Sequence, residues 1–197
     1  MEYNNNTGMN TAICFIAIVP GPELCSEVRA FQQTVSEKFQ SSRALRAPPH
    51  ITLIPPFKWG LELMSQMDNE LRTFTEARDP LLIQLKNFEA FPPRVVYLNV
   101  TDNPALNDFQ AALQNHLSSK LGVTSDRPER VFRPHMTVGF RDLRKKMFHN
   151  AWTHFSEIRF EREFLASQIC LLQHSGERWN ERTYFKMTSG GTIDYPI

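Results

Sequence analysis

The chain has 197 residues, 41% of them hydrophobic and 22% charged, with 22 Lys+Arg against 21 Asp+Glu for a formal net charge of +1. These figures fit one ordinary globular unit, or two small lobes sharing a core, and exclude disordered and fibrous chains. At this length about 70% of the unfolded surface can be buried, so folding requires no disulfide or metal staple, and the near-zero charge excludes a general nucleic-acid coat protein.

Residues 1–11 read as a floppy polar tail, since MEYNNNTGMN lacks the positive n-region and the A-x-A site of a signal peptide. The longest purely apolar run, Ala12 to Val19, is too short to cross a bilayer and reads as a strand, stopped by Pro20-Gly21-Pro22. Leu24, Val28, Phe31, Val35 and Phe39 then mark one face of a helix. After the loop 41–49 comes a short run, His50 to Ile54, closed by Pro55-Pro56. Met64, Met67, Leu71 and Phe74 mark a second amphipathic helix, and Leu81 to Phe88 alternates as a strand.

The second half repeats that order. Val95 to Val100 is a strand; Asn103-Pro104 is an N-cap with Pro at the first helical position, and Leu106, Phe109, Leu113 and Leu117 form a stripe ended by Gly122. A loop rich in Ser, Asp, Arg and Pro leads to the run Val131 to Phe140, and Leu143, Met147, Ala151 and Phe155 predict the next helix. Strands follow at about Ile158 to Phe164, Ser167 to Gln173 and Thr183 to Met187. The pattern is one domain over 12–197, with pseudo-repeats over about 12–90 and 94–165 and closing strands over 167–188. Short strands ending in Pro, without strict β-α alternation, favour a bilobed α+β fold over a doubly wound parallel sheet.

One short pattern stands at the third element of both halves: Pro49-His50-Ile51-Thr52-Leu53 and Pro134-His135-Met136-Thr137-Val138. On a strand, His50 and Thr52 share one face while Ile51 and Leu53 turn to the core; His135 and Thr137 do the same. Each copy lies in a basic stretch. From Lys38 to Lys58 there are four basic residues and no acid, and from Arg127 to Lys146 seven basic residues against two acids, so the +1 is a cancellation against a remainder of −8. Two imidazoles near their free pKa of about 6.5 can pass protons in both directions at neutral pH, and hydroxyls with nearby Arg hold anionic oxygens. That set suits in-line displacement at a phosphodiester without a metal.

These strings, PHITL and RPHMTV, resemble the paired H-x-[ST]-x signatures of the two-histidine (2H) phosphoesterase superfamily, which includes bacterial RNA 2′,3′-cyclic phosphodiesterases often labelled 2′-5′ RNA ligases. The resemblance implies duplicated lobes, each an antiparallel-type sheet with outer helices, and H-x-T strands facing a central cleft. It implies metal-independent phosphodiesterase chemistry on 2′,3′-cyclic phosphates or 2′-5′ bonds of RNA or nucleotides, with His50 and His135 as the catalytic pair and Thr52 and Thr137 holding the phosphate. Arg133 matches a basic position common in the RNA-acting members; the first copy has Pro48 there, with Arg46 two residues earlier. The alternative is a non-catalytic module that grips RNA ends or nucleotides in the same cleft.

Phe57 and Phe140, each following a motif, and Tyr97, on the strand opening the second half, are candidates to stack on a base. His149 and His154 are five apart, not the i, i+4 of a metal pair, His116 is a helix-face residue, and His174 sits at a strand end near the cleft rim. No phosphate-loop or dinucleotide fingerprint is present, so no cofactor is expected. Cys14, Cys25 and Cys170 are odd in number and lack C-x-x-C spacing, which fits a reducing compartment. The expectation is a cytoplasmic monomer with no membrane partner.

Overall fold

The computed structural model describes residues 10–124 and 131–189. Residues 1–9 of the polar tail, and Arg127 and Arg130 of the second basic stretch, lie outside the described residues. In chain order the elements are β1 (Thr11–Ile18), α1 (Pro22–Phe39), a 3-10 turn (Arg43–Arg46), β2 (Ile51–Gly60), α2 (Met64–Glu76), β3 (Leu81–Phe91), β4 (Val95–Val100), α3 (Pro104–Leu121), β5 (His135–Gly139), α4 (Lys145–Ser156), β6 (Glu161–Ala166), β7 (Gln168–His174) and β8 (Trp179–Lys186).

The eight strands among the described residues form one curled antiparallel sheet in the order β6-β3-β4-β5-β2-β1-β7-β8. The two sets of four are therefore halves of one continuous sheet, joined where β5 meets β2. Chain order and space divide differently: β3 pairs with β4 and β6 of the second half, and β7 returns to pair with β1.

The four helices among the described residues cover one face: α1 packs on β5 and α4, α2 on β8 and α3, α3 on β2, and α4 on β3 and β4. Their buried positions include Val28, Val35 and Phe39 of α1, Met67, Leu71 and Phe74 of α2, Leu106, Phe109, Leu113 and Leu117 of α3, and Ala151 and Phe155 of α4. These meet Ile16, Ile18, Ile51, Leu53, Ile83, Leu98, Met136 and Val138 from the sheet. The α3 caps are as the sequence predicts. The Asn103 side chain accepts from the Leu106 N–H at 3.0 Å, Pro104 takes the first turn, and Gly122 turns left-handed at φ 67°. Among the described residues no helix is long and apolar enough to cross a membrane.

Three departures from the expected pattern matter for the site. β2 runs on through Pro55-Pro56 to Gly60. The prolines sit where the pairing slips, Ile16 opposite Ile54 and Cys14 opposite Phe57, so Phe15 alone faces two residues that could donate no ladder hydrogen bond anyway. β3 carries a bulge at Asn87 (φ 57°), Leu85 pairing with Val100 but Phe88 with Leu98, and so resets the alternation for the rest of the strand. Phe88 stays in the core, while Glu89 and Phe91 turn to the opposite face. The run predicted from Val131 to Phe140 is strand only over His135–Gly139.

Candidate active site

The two motif strands are hydrogen-bonded neighbours at the middle of the sheet, with Ile51 paired to Met136. Both of those side chains are fully buried on the helix side, so the residues flanking them point to the open face. Continuing the antiparallel register by one residue each way sets His50 opposite Thr137 and His135 opposite Thr52. Each imidazole thus has its own threonine two residues along and the other motif's threonine across the strand pair. All four side chains are half-buried.

The two rings are held in the same way. His50 Nδ1 lies 2.7 Å from the Pro48 carbonyl oxygen, and His135 Nδ1 lies 2.7 Å from the Arg133 carbonyl oxygen. A carbonyl only accepts, so Nδ1 carries the proton in both neutral rings and Nε2 is their unprotonated nitrogen. The intervening residues are Pro49 and Pro134, and proline biases its predecessor to extended backbone, which returns the carbonyl two residues upstream onto the ring.

Aromatic walls flank both rings. Phe15 packs against His50 at 4.9 Å between centroids and edge-on to Trp179 at 4.6 Å, while Phe91 and Tyr97 both lie 5.1 Å from His135. Burial pushes the His50 pKa down to about 4; the Pro48 hydrogen bond works against this, and the charges of His135 and Arg29 add to it. Tyr97 donates to Glu89 Oε2 at 3.2 Å, and burial, with the Glu89 charge behind it, pushes its phenol up to about 12.

Side chains from outside the motifs tie the two halves of the site together. On α1, Arg29 donates to the carbonyls of Leu45 (3.2 Å) and Ala47 (2.9 Å), on the segment that leads to His50. One turn on, the buried Gln32 donates to the Thr137 carbonyl at 3.0 Å. Asp142, just after the second motif, accepts from Ser41 Oγ (2.7 Å) and from the N–H groups of Ser42 (2.9 Å) and Arg43 (3.0 Å), just before the first. Hydrogen bonds to a charged group are worth about 1.5–3 kcal/mol each, less where water competes. Asp142→Ala is therefore expected to destabilise the fold by about 2–3 kcal/mol and Asp142→Asn by less, measured by urea unfolding. Equal stability of all three proteins would show that the clamp carries no load.

The candidate substrate contacts are dispersed. Arg133 is exposed and supplies the carbonyl under His135, and Tyr97 flanks His135. Phe57 pairs with Cys14 beyond the β2 slip and packs against the helix-side core. Phe140 follows the end of β5, its ring under the Arg141 guanidinium at 5.5 Å. His174 stacks edge-on to Trp179, His116 pairs with Glu70 at 2.9 Å, and His154 packs against Phe39 and Phe155. Arg29, the guanidinium acting on His50, comes from α1 and lies in neither basic stretch. Phe15, Phe91, Asn99 and Trp179 also reach the open face, and Arg29, Gln32 and Asp142 brace it, yet none carries a motif; strand alternation alone signals Phe15.

No group of three or more His, Cys, Asp or Glu side chains among the described residues is placed to hold a metal ion. The three cysteines are free, and burial pushes their thiols up to about 11 for Cys14 and Cys25 and about 12 for Cys170, so all stay protonated at neutral pH.

Residues 20–178 match the family model described as the 2′-5′ RNA ligase superfamily. A protein of Geobacillus kaustophilus named "Putative phosphoesterase" is 34% identical over 118 residues, 59% of this chain and 64% of its own length. One of the same name from Geobacillus thermodenitrificans is 32% identical over 128 residues, 64% of this chain and 68% of its own. Among solved structures, E. coli LigT complexed with 3′-AMP superposes with a TM-score of 0.67 at 16% identity, covering 90% of this chain and 99% of that one. The protein TT0787 of Thermus thermophilus gives 0.66 at 16% identity, covering 91% and 100%. Those two show the fold; the family model, matched over most of the chain and through both H-x-T strands, shows that this chain belongs to the 2′-5′ RNA ligase superfamily.

Proposed function

We propose that the chain is a phosphodiesterase that opens 2′,3′-cyclic phosphates or cleaves 2′-5′ phosphodiester bonds of RNA or nucleotides, by acid–base catalysis between His50 and His135. The observation that carries this reading is the matched setting of the two imidazoles: each Nδ1–H is engaged by a carbonyl two residues upstream, on two strands that are neighbours through Ile51 and Met136. In hydrolysis, one Nε2 takes a proton from the attacking water as its oxygen bonds to phosphorus. The bond from phosphorus to a ribose oxygen breaks, and the other imidazole gives its proton to that oxygen, leaving a phosphomonoester and a ribose hydroxyl. Thr52 and Thr137 donate to the non-bridging oxygens, and Arg133 offsets their charge. Each proton transfer is worth about 10²- to 10⁴-fold, so the pair needs no metal to supply the rate. Three thiols kept protonated and unpaired suit the cytoplasm.

The deciding experiment incubates the purified chain with 2′,3′-cyclic nucleotides, 2′-5′ dinucleotides and cyclic-phosphate-ended RNA, with and without EDTA, and resolves the products. Phosphomonoester formation that survives chelation is the expected result. Binding without product over hours would instead make the cleft a nucleotide-gripping site.

A further inference from the structure

The open face of the sheet is lopsided. Beside His50 it is closed: Phe15, Ala17, Val19, Cys170 and Leu172 form a compact apolar cluster of their own, with Cys25 and Trp179 packed against it. Beside His135 the sheet continues through β4 and β3 into a hollow of about 270 Å³, lined among others by Glu89, Tyr97, Asn99, Asn107, Phe132 and Arg133. Among the described residues, a substrate whose phosphorus lies between the imidazoles meets the apolar cluster on the His50 side and this hollow on the His135 side.

The hollow has the chemistry of a base-reading pocket. Asn99 is the cross-strand partner of His135 and shares its face, so the carboxamide stands beside the reacting centre. An Asn amide offers one donor and one acceptor, and its oxygen accepts from an amine. Glu89 and Asp102, also in the wall, only accept. Together these acceptors suit an exocyclic amine, whose two N–H groups adenine, cytosine and guanine carry; uracil offers a single N3–H between two carbonyl oxygens, which the carboxylates repel. Phe91 and Phe132 supply aromatic surface, and Arg133, two residues before His135, adds a positive charge to the lining.

We propose that this hollow is the nucleobase subsite, that it selects amino-bearing bases over uracil, and that Asn99 is the specificity-determining residue. The inference rests on the phosphodiesterase reading for its reaction, but its test stands apart from turnover. Binding of 3′-AMP, 3′-CMP, 3′-GMP, 3′-UMP and inorganic phosphate to the full chain is measured by calorimetry. The 3′-UMP affinity is expected to be about tenfold below the other three nucleotides, the size of one lost hydrogen bond to a polar partner. Asn99→Ala, which removes the acceptor, is expected to erase that difference and leave inorganic phosphate binding unchanged, while Asn99→Asp, which keeps an acceptor, is expected to preserve it. A cross-saturation NMR experiment should connect the base protons to the Phe132 ring. Equal affinity for all four nucleotides, an undiminished difference in Asn99→Ala, its loss in Asn99→Asp, or base contacts to Trp179 would overturn the assignment. The two ideas fail separately: His-dependent turnover with no base preference removes the subsite alone, and base-selective binding without turnover removes the catalysis alone.

Discussion

Replacing either motif histidine with alanine, His50→Ala or His135→Ala, is expected to lower kcat/KM on a 2′,3′-cyclic nucleotide by about 10²- to 10⁴-fold, the usual value of one positioned proton transfer. The two losses will not multiply in the double variant, because each imidazole works only with the other in place. Both rings are half-buried at the open face, so circular dichroism and thermal unfolding should show the variants folded. Thr52→Ala and Thr137→Ala remove a phosphate donor and not a proton carrier, so each should cost about 10- to 100-fold, the value of one hydrogen bond to a charged group. Stopped assays with product resolution check all four variants. Wild-type turnover in either histidine variant would sink the paired mechanism.

Phe15→Ala is expected to have the largest effect on stability, about 3–5 kcal/mol, because the ring is buried at 3% exposure and holds together the cluster that walls His50. It should also move His50. The native imidazole, pushed down to about 4, stays neutral where the unfolded one, near 6.5, is already taking its proton. This histidine's contribution to stability is therefore fully present above pH 6.5 and is lost as pH falls from there toward 4. Removing the apolar wall readmits water and should raise the His50 pKa toward its ordinary value, flattening that acid-side loss. Urea unfolding at pH 7 and pH 5, with an NMR titration of the ring, reads both effects. An unchanged His50 titration in Phe15→Ala would show that the shift comes from elsewhere.

How much of the site is legible in the chain depends on how local its cause is. The H-x-T pairs are strand alternation, and alternation is a property of three consecutive residues; His50, Thr52, His135 and Thr137 consequently emerge on one face. Asn103, Pro104 and Gly122 announce α3 because a cap is made within one turn. Phe57 and Phe91 show the opposite case. Phe57 directly follows the first motif's prolines, yet the slips in β2 turn its ring to the helix-side core. Phe91 has no motif, and the bulge at Asn87 delivers it to His135. A bulge shifts every later residue to the other face, and its position depends on the partner strand. Arg29, Gln32 and Asp142 are illegible for a related reason: their partners lie 16 to 105 positions away, and only packing brings them within reach.

By itself, then, the sequence determines that His50, Thr52, His135 and Thr137 share one strand face in pairs, the helical faces and the family, all of which follow from short-range periodicity and two short strings. Tertiary structure alone decides that β2 and β5 are neighbours, so that each histidine faces the other motif's threonine. It decides also that apolar packing closes the flank of His50 and leaves the flank of His135 open. Strand partnership and the filling of a sheet face are settled by burying apolar surface across the whole molecule, and no stretch of chain carries that information on its own.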